Sequence, residues 1–189
     1  MTHTHRTRVF RAFLSLMILC VCMCARAAGQ GTAYCSGDGS GTACPCSNFG
    51  FGGGGCANSS FPGAILSAQG VASLSNDSLS LRCTLLPFDP SGTAVLFQGA
   101  NAMSGGAGAP FGAGLVCVSG SVRRLGTKSM ASGQILVGPS AGDPALSTAG
   151  QIATPRTTMR YQVWYRDTLP GCAQPPFNLS NGLTVTWGA

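Results

Sequence analysis

MRYQVWYRD, residues 159–167, puts Met159, Tyr161, Val163 and Tyr165 on one side of an extended chain and Arg160, Gln162, Trp164 and Arg166 on the other. A period of two in aromatic and β-branched residues is the pattern of a strand with one face in a core. The closing NGLTVTWG (181–188) repeats it with an Asn-Gly turn followed by Leu183, Val185 and Trp187 in alternation. Upstream, SLSLRCTLLP (78–87) alternates Leu79, Leu81, Cys83 and Leu85. AVLFQG (94–99) and GQILVG (133–138) are short apolar runs stopped by glycine, and GLVCVSG (114–120) and SVRRLG (121–126) read as adjacent strands. NAMSGGAGAPFGAG (101–114) is the longest gap and is expected to be a surface loop. No window supports a long amphipathic helix. The expected fold class is therefore all-β: a single antiparallel β-sandwich or jelly-roll-like domain.

The N-terminus predicts the compartment. MTHTHRTRVFR carries Arg6, Arg8 and Arg11 and no acid, AFLSLMILCVCMC (12–24) is apolar, and ARAAG adds the small residues Ala25 and Ala27. Basic head, short apolar middle and A-x-A exit are the parts of a secretory signal peptide, with cleavage expected after Ala27. The apolar run is shorter than the ~20 residues a spanning helix needs, so no membrane insertion is expected after cleavage. Both histidines (His3, His5) and four arginines leave with the signal, and the chain has no glutamate. Seven basic residues remain (Arg82, Arg123, Arg124, Lys128, Arg156, Arg160 and Arg166) against Asp38, Asp77, Asp89, Asp143 and Asp167. The net charge falls from +6 to +2, which gives no ground for a nucleic-acid partner.

CSGDGSGTACPCSNFGFGGGGC (35–56) holds Cys35, Cys44, Cys46 and Cys56 among eight glycines. Zinc sites pair ligands two to four residues apart, often with histidine, and neither the spacing here nor the composition fits. GFGGGG satisfies G-x-G-x-x-G, but no strand leads in and no helix follows, so it is not a dinucleotide loop. In an exported chain these cysteines read as disulfides, and no metal or cofactor is expected. Cys44 and Cys46 are too close to bond each other without strain. Two local pairings remain, Cys35–Cys46 with Cys44–Cys56, which is preferred, or Cys35–Cys44 with Cys46–Cys56. Residues 28–62 then form a stapled segment, whose glycines supply turns at positive φ, joined in one domain with the sandwich of residues 63–189.

YCSGDGSGTACPCSNFGFGGGGCANSS, LFQGA, VRRLGTK, YQVWYRD and FNLSNGLTVTW occur in this order along residues 34–187. Together they resemble a family of secreted proteins of unknown function that is multiplied in planctomycete-type bacteria. The resemblance implies export and a single compact domain, alone or at the end of a longer secreted protein, and carries over no catalytic residue. Cys83 departs from that family's pattern, which implies six framework cysteines and one odd thiol. With the first four paired locally, Cys117 and Cys172 are left for each other.

Catalysis finds little material. Asp77, Asp89 and Asp143 sit in turn contexts, and Asp167 reads as the ion-pair partner of Arg166. A serine or cysteine nucleophile would lack an imidazole base. The expected function is a non-catalytic structural role in the extracellular matrix or at the cell surface. The alternative is a carbohydrate-binding module whose ligand surface is Trp164 with Arg160 and Arg166, its partner an extracellular glycan or cell-surface component. Arg123, Arg124 and Lys128 are expected to form a solvated basic edge.

Overall fold

Strand periodicity dictates the central sheet, and the sheet buries both of its faces. The structure, a computed structural model, describes residues 31–169, 171–172 and 176–189. The signal peptide expected at 1–27 lies outside the described residues. The largest sheet, sheet A, runs in the order β1 (Gly31–Tyr34), β13 (Gly182–Thr186), β11 (Thr158–Arg166), β4 (Asp89–Gly99) and β9 (Arg123–Met130). β12 (Phe177–Leu179) pairs with the far end of β11, Trp164 opposite Leu179. Sheet B is β10 (Ile135–Val137), β3 (Ser80–Thr84) and β2 (Ile65–Gln69). Two ribbons complete the fold: β5 (Asn101–Ala102) with β8 (Val118–Ser119), and β6 (Ala109–Phe111) with β7 (Gly114–Val116). All these strand pairings are antiparallel, as expected. Among the described residues the one α-helix, α1 (Leu146–Ala149), is a single turn.

Sheets A and B enclose the main core. Tyr161, Val163 and Tyr165 of β11, Leu183 and Val185 of β13 and Leu96 of β4 meet Leu66, Leu81, Cys83, Ile135 and Val137. Trp187 is fully buried beside them, and its Nε1–H donates to the Tyr161 hydroxyl at 3.1 Å. Asn58 Nδ2 donates to the Tyr165 hydroxyl at 3.2 Å, so both phenols in the core are partnered. Burial holds the ionisation of both tyrosines well above the ordinary range. Cys83 is a free, fully buried thiol packed as a small apolar residue, its pKa pushed up by the same burial.

Three expectations change. The alternation of β3 does not continue to Leu85, which takes a positive φ of 59° and turns outward, 42% exposed, while Leu86 enters the core. GLVCVSG and SVRRLG are not neighbours. The first breaks at Cys117 into β7 and β8, and β9 crosses to pair with β4. The break has a local cause: the Cys117 amide and carbonyl bond to Gln162, Met103 and Tyr34 rather than to a ladder. Finally, residues 101–114 are not a bare loop. They form β5, a 3-10 turn (Met103–Gly106) and β6, and a turn through Gly112 at φ 61° closes the β6–β7 hairpin.

Candidate functional site: the outer face of sheet A

The face of β11 that bears Arg160, Gln162, Trp164 and Arg166 turns away from sheet B, and most of it is a second interior. Gln162 is fully buried. Its Oε1 accepts from the Cys117 amide at 2.8 Å, and its Nε2 donates to the carbonyls of Leu115 (2.8 Å) and Ser180 (2.7 Å). Each polar atom of the amide is therefore used, and the break between β7 and β8 is pinned onto the sheet. Asn178 and Asn48 act likewise, donating to the carbonyls of Ala57 and, from Asn48, Ala113. The Tyr34 hydroxyl donates to the Cys117 carbonyl at 2.9 Å. Its ring crosses Gly182 where any side chain would collide with it. Burial pushes the Tyr34 phenol up to about 12, with the charge of Arg160 opposing the shift.

Three disulfides hold this cover: Cys35–Cys117, Cys44–Cys56 and Cys46–Cys172. The preferred local pairing is correct only for Cys44–Cys56. Cys35–Cys46 and Cys117–Cys172 do not form, and the other local option, Cys35–Cys44 with Cys46–Cys56, does not form either. The physical reason is that residues 35–56 fold back on themselves through the Gly37–Gly54 and Gly50–Gly37 backbone hydrogen bonds and Cys44–Cys56, and Cys35 and Cys46 bond outside the segment. Cys35 follows directly on β1 and reaches Cys117 across sheet A. Cys46 lies close in sequence to Asn48, which ties the segment to Ala113, and Asn178 ties Ala57 to β12. Several glycines serve close approach rather than positive φ: a side chain on Gly55 would strike the Leu179 carbonyl, and one on Gly37 would strike the Cys56 amide.

The cover leaves a groove open, a cavity of about 560 Å³ lined by Phe97, Val118, Val122, Phe111, Trp164 and Arg124. Trp164 is partly buried and lies 5.6 Å from Phe177, which in turn lies 4.8 Å from Phe111, centroid to centroid. The three rings form a tilted row, a favourable aromatic arrangement. Phe111 (49% exposed) and Val122 (57%) extend apolar surface onto the rim. The guanidinium of Arg124 has no hydrogen-bond or ionic partner among the described residues.

The ligand surface expected from sequence does not come together as one site. Trp164 lines the groove, but Arg160 donates to the Ala100 carbonyl at 2.5 Å and lies near Tyr34. Arg166 lines a separate cavity of about 300 Å³ with Phe88 and Asp89. Gln162, between Arg160 and Trp164, is under the cover. The basic edge is also divided. Arg123 donates to Gln151, Lys128 pairs with Asp143, and Arg124 alone faces the groove.

The aspartates in turns behave as expected. Asp77 accepts from the amides of Leu79 and Ser147, and Asp89 from Ser91. Asp167 corrects its expectation: it is 4% exposed and accepts from the Ser59 amide and Asn178, not from Arg166. Of three N-x-S sequons, those at Asn58 and Asn178 are buried and only Asn76 is exposed. The sequence reading missed Arg124 as a groove residue because its face depends on a register shift between Leu96 and Phe97 where β4 meets β9. Such a bulge alters which side a residue faces and leaves no mark in the periodicity.

No protein-family model matches the chain, and no curated protein or solved structure matches it. Among the described residues no helix is long and apolar enough to cross a membrane. No group of three or more His, Cys, Asp or Glu side chains among them is placed to hold a metal ion.

Proposed function

We propose that the chain is an exported, non-catalytic β-domain with a structural role at the cell surface or in the extracellular matrix. The observation that carries this reading is the long-range cross-bracing. Cys35–Cys117 and Cys46–Cys172 span 82 and 126 residues and clamp a glycine-rich segment onto a sheet. Bridges of this kind form and persist in oxidising compartments, where a protein must hold its shape unaided. Composition agrees, since residues 28–189 offer no histidine to serve as a base and no glutamate. The motif resemblance to secreted planctomycete-type proteins supports the same compartment.

Fractionation of the producing cells, followed by mass spectrometry without reduction, tests the proposal. The expected product begins at Ala28, carries three disulfides and one free thiol, and is found in the envelope or the medium. Full-length, reduced chain in the cytosol overturns it.

A further inference from the structure

The groove beside Trp164 has a chemistry of its own, independent of any structural role. Its walls are apolar, and Arg124 is the charged group among the residues that line it. A neutral sugar would leave many hydroxyls against carbon there, and each hydrogen bond lost to desolvation and not remade weakens binding. A flat apolar body suits the walls better, because the rings of Trp164, Phe111 and Phe97 line them, with the buried Phe177 packed against Trp164 and Phe111. The volume, about 560 Å³, is in the range of small-molecule sites.

Charge specifies the rest of the occupant. Arg124 is exposed and unpartnered, while the groove is lined by no carboxylate. The five aspartates are engaged elsewhere: Asp38 by Ser40, Asp89 by Ser91, Asp143 by Lys128, Asp77 and Asp167 by backbone amides. A planar guanidinium without a partner fits a carboxylate through two parallel hydrogen bonds. We propose that this groove binds an apolar ring compound bearing one carboxylate, its ring along Trp164 and Phe111 and its carboxylate on Arg124.

Titration of the purified, oxidised protein with naphthalene carboxylate tests it, followed through the indole N–H resonances of Trp164 and Trp187. The Trp164 signal is expected to shift, while that of Trp187, sealed in the core, stays in place. Naphthalene methanol, with the same ring and no charge, is expected to bind about tenfold more weakly. Arg124→Gln removes that difference and leaves the affinity for the alcohol unchanged. Equal affinity for acid and alcohol overturns the proposal, as does an Arg124→Gln protein that binds the acid undiminished. Decanoate binding more tightly than the ring acid overturns the ring. Tighter binding of glucuronate assigns the groove to an acidic sugar instead. A Trp164 shift that follows protein concentration alone assigns it to a second copy of the chain.

Discussion

The two faces of sheet A are buried by different means. Toward sheet B, side chains two residues apart along each strand fill the interior: Tyr161, Val163 and Tyr165, then Leu183 and Val185. On the outer face the cover combines a glycine-rich segment with the β5–β8 and β6–β7 ribbons, and its apolar packing is divided between two small clusters, one of Cys44, Cys56, Leu115 and Cys117 and one of Phe97, Val118, Phe177 and Leu179. Buried amides and disulfides hold it: Gln162 bonds to Cys117, which is itself bridged to Cys35, and Cys46–Cys172 adds a second long bridge. The contrast shows what irregular backbone requires once it is buried. A sheet satisfies its own amides and carbonyls through ladders, whereas a buried loop needs side chains such as Gln162, Asn178 and Asn48 to do so.

The contrast is broken most directly at the bridges. Replacing both Cys46 and Cys172 by alanine is expected to lower stability by about 4–5 kcal/mol, since the bridge spans 126 residues. Replacing Cys44 and Cys56, 12 residues apart, should cost less, about 3 kcal/mol. Denaturant unfolding of the two double variants gives the comparison. If the short bridge proves the costlier, chain entropy is not what these disulfides contribute, and the packing of the buried Cys44–Cys56 pair outweighs loop length.

On the inner face the corresponding probe is Trp187→Ala. It removes the largest fully buried side chain and the partner of the Tyr161 hydroxyl. The expected loss is about 3–5 kcal/mol in the same measurement. A loss below about 1 kcal/mol would mean that the core collapses around the gap, against the close packing assumed for this face.

The same division explains what could be read from the sequence. The inner face was legible because a period of two is local: Tyr161, Val163, Tyr165, Leu183 and Val185 all lie where alternation puts them. Leu85 marks the limit of that method, because a single positive φ reversed its direction and handed the core position to Leu86. The outer face was not legible because its contacts join residues far apart in sequence. Proximity in the chain favoured Cys35–Cys46, while the fold carries Cys35 to Cys117. Alternation puts Gln162 on the face of Arg160, Trp164 and Arg166, and only the cover above it turns it into a hub. Trp164 stands out by sharing its strand face with Arg160 and Arg166, whereas Arg124 reads only as part of a basic edge, since its place at the groove depends on the bulge in β9.

Gln162→Leu sharpens the comparison from the outer side. Leucine retains the volume but strips the Cys117 amide of its acceptor and the carbonyls of Leu115 and Ser180 of their donor. Leaving such buried groups unpaired is expected to cost about 1–3 kcal/mol. Amide exchange at Cys117 should quicken while exchange at Leu183, in β13 between β1 and β11, is unchanged. Equal acceleration at both sites would show that the cover and the sheet open together as one unit.

The smallest effect is expected at the rim, where β9 forms the edge of sheet A. Lys128 Nζ lies 2.5 Å from Asp143 Oδ1, with side chains 30% and 25% exposed. Burial alone would raise the Asp143 pKa, but hydrogen bonds from Lys128 and the Gly138 amide, with the charge of Lys128, outweigh it and hold the carboxyl below its ordinary range. The unfolded chain therefore takes up this proton first as the pH falls. The pair's contribution is present above the ordinary carboxylate pKa of about 3.9 and is lost as the pH drops through the depressed folded value. A partly exposed pair contributes about 0.2–1 kcal/mol, and salt screens it. Lys128→Met should lower stability by that amount at neutral pH and low salt, and by nothing measurable in strong acid or high salt. If the deficit is the same under all three conditions, Lys128 acts through the packing of its aliphatic stem and not through its charge.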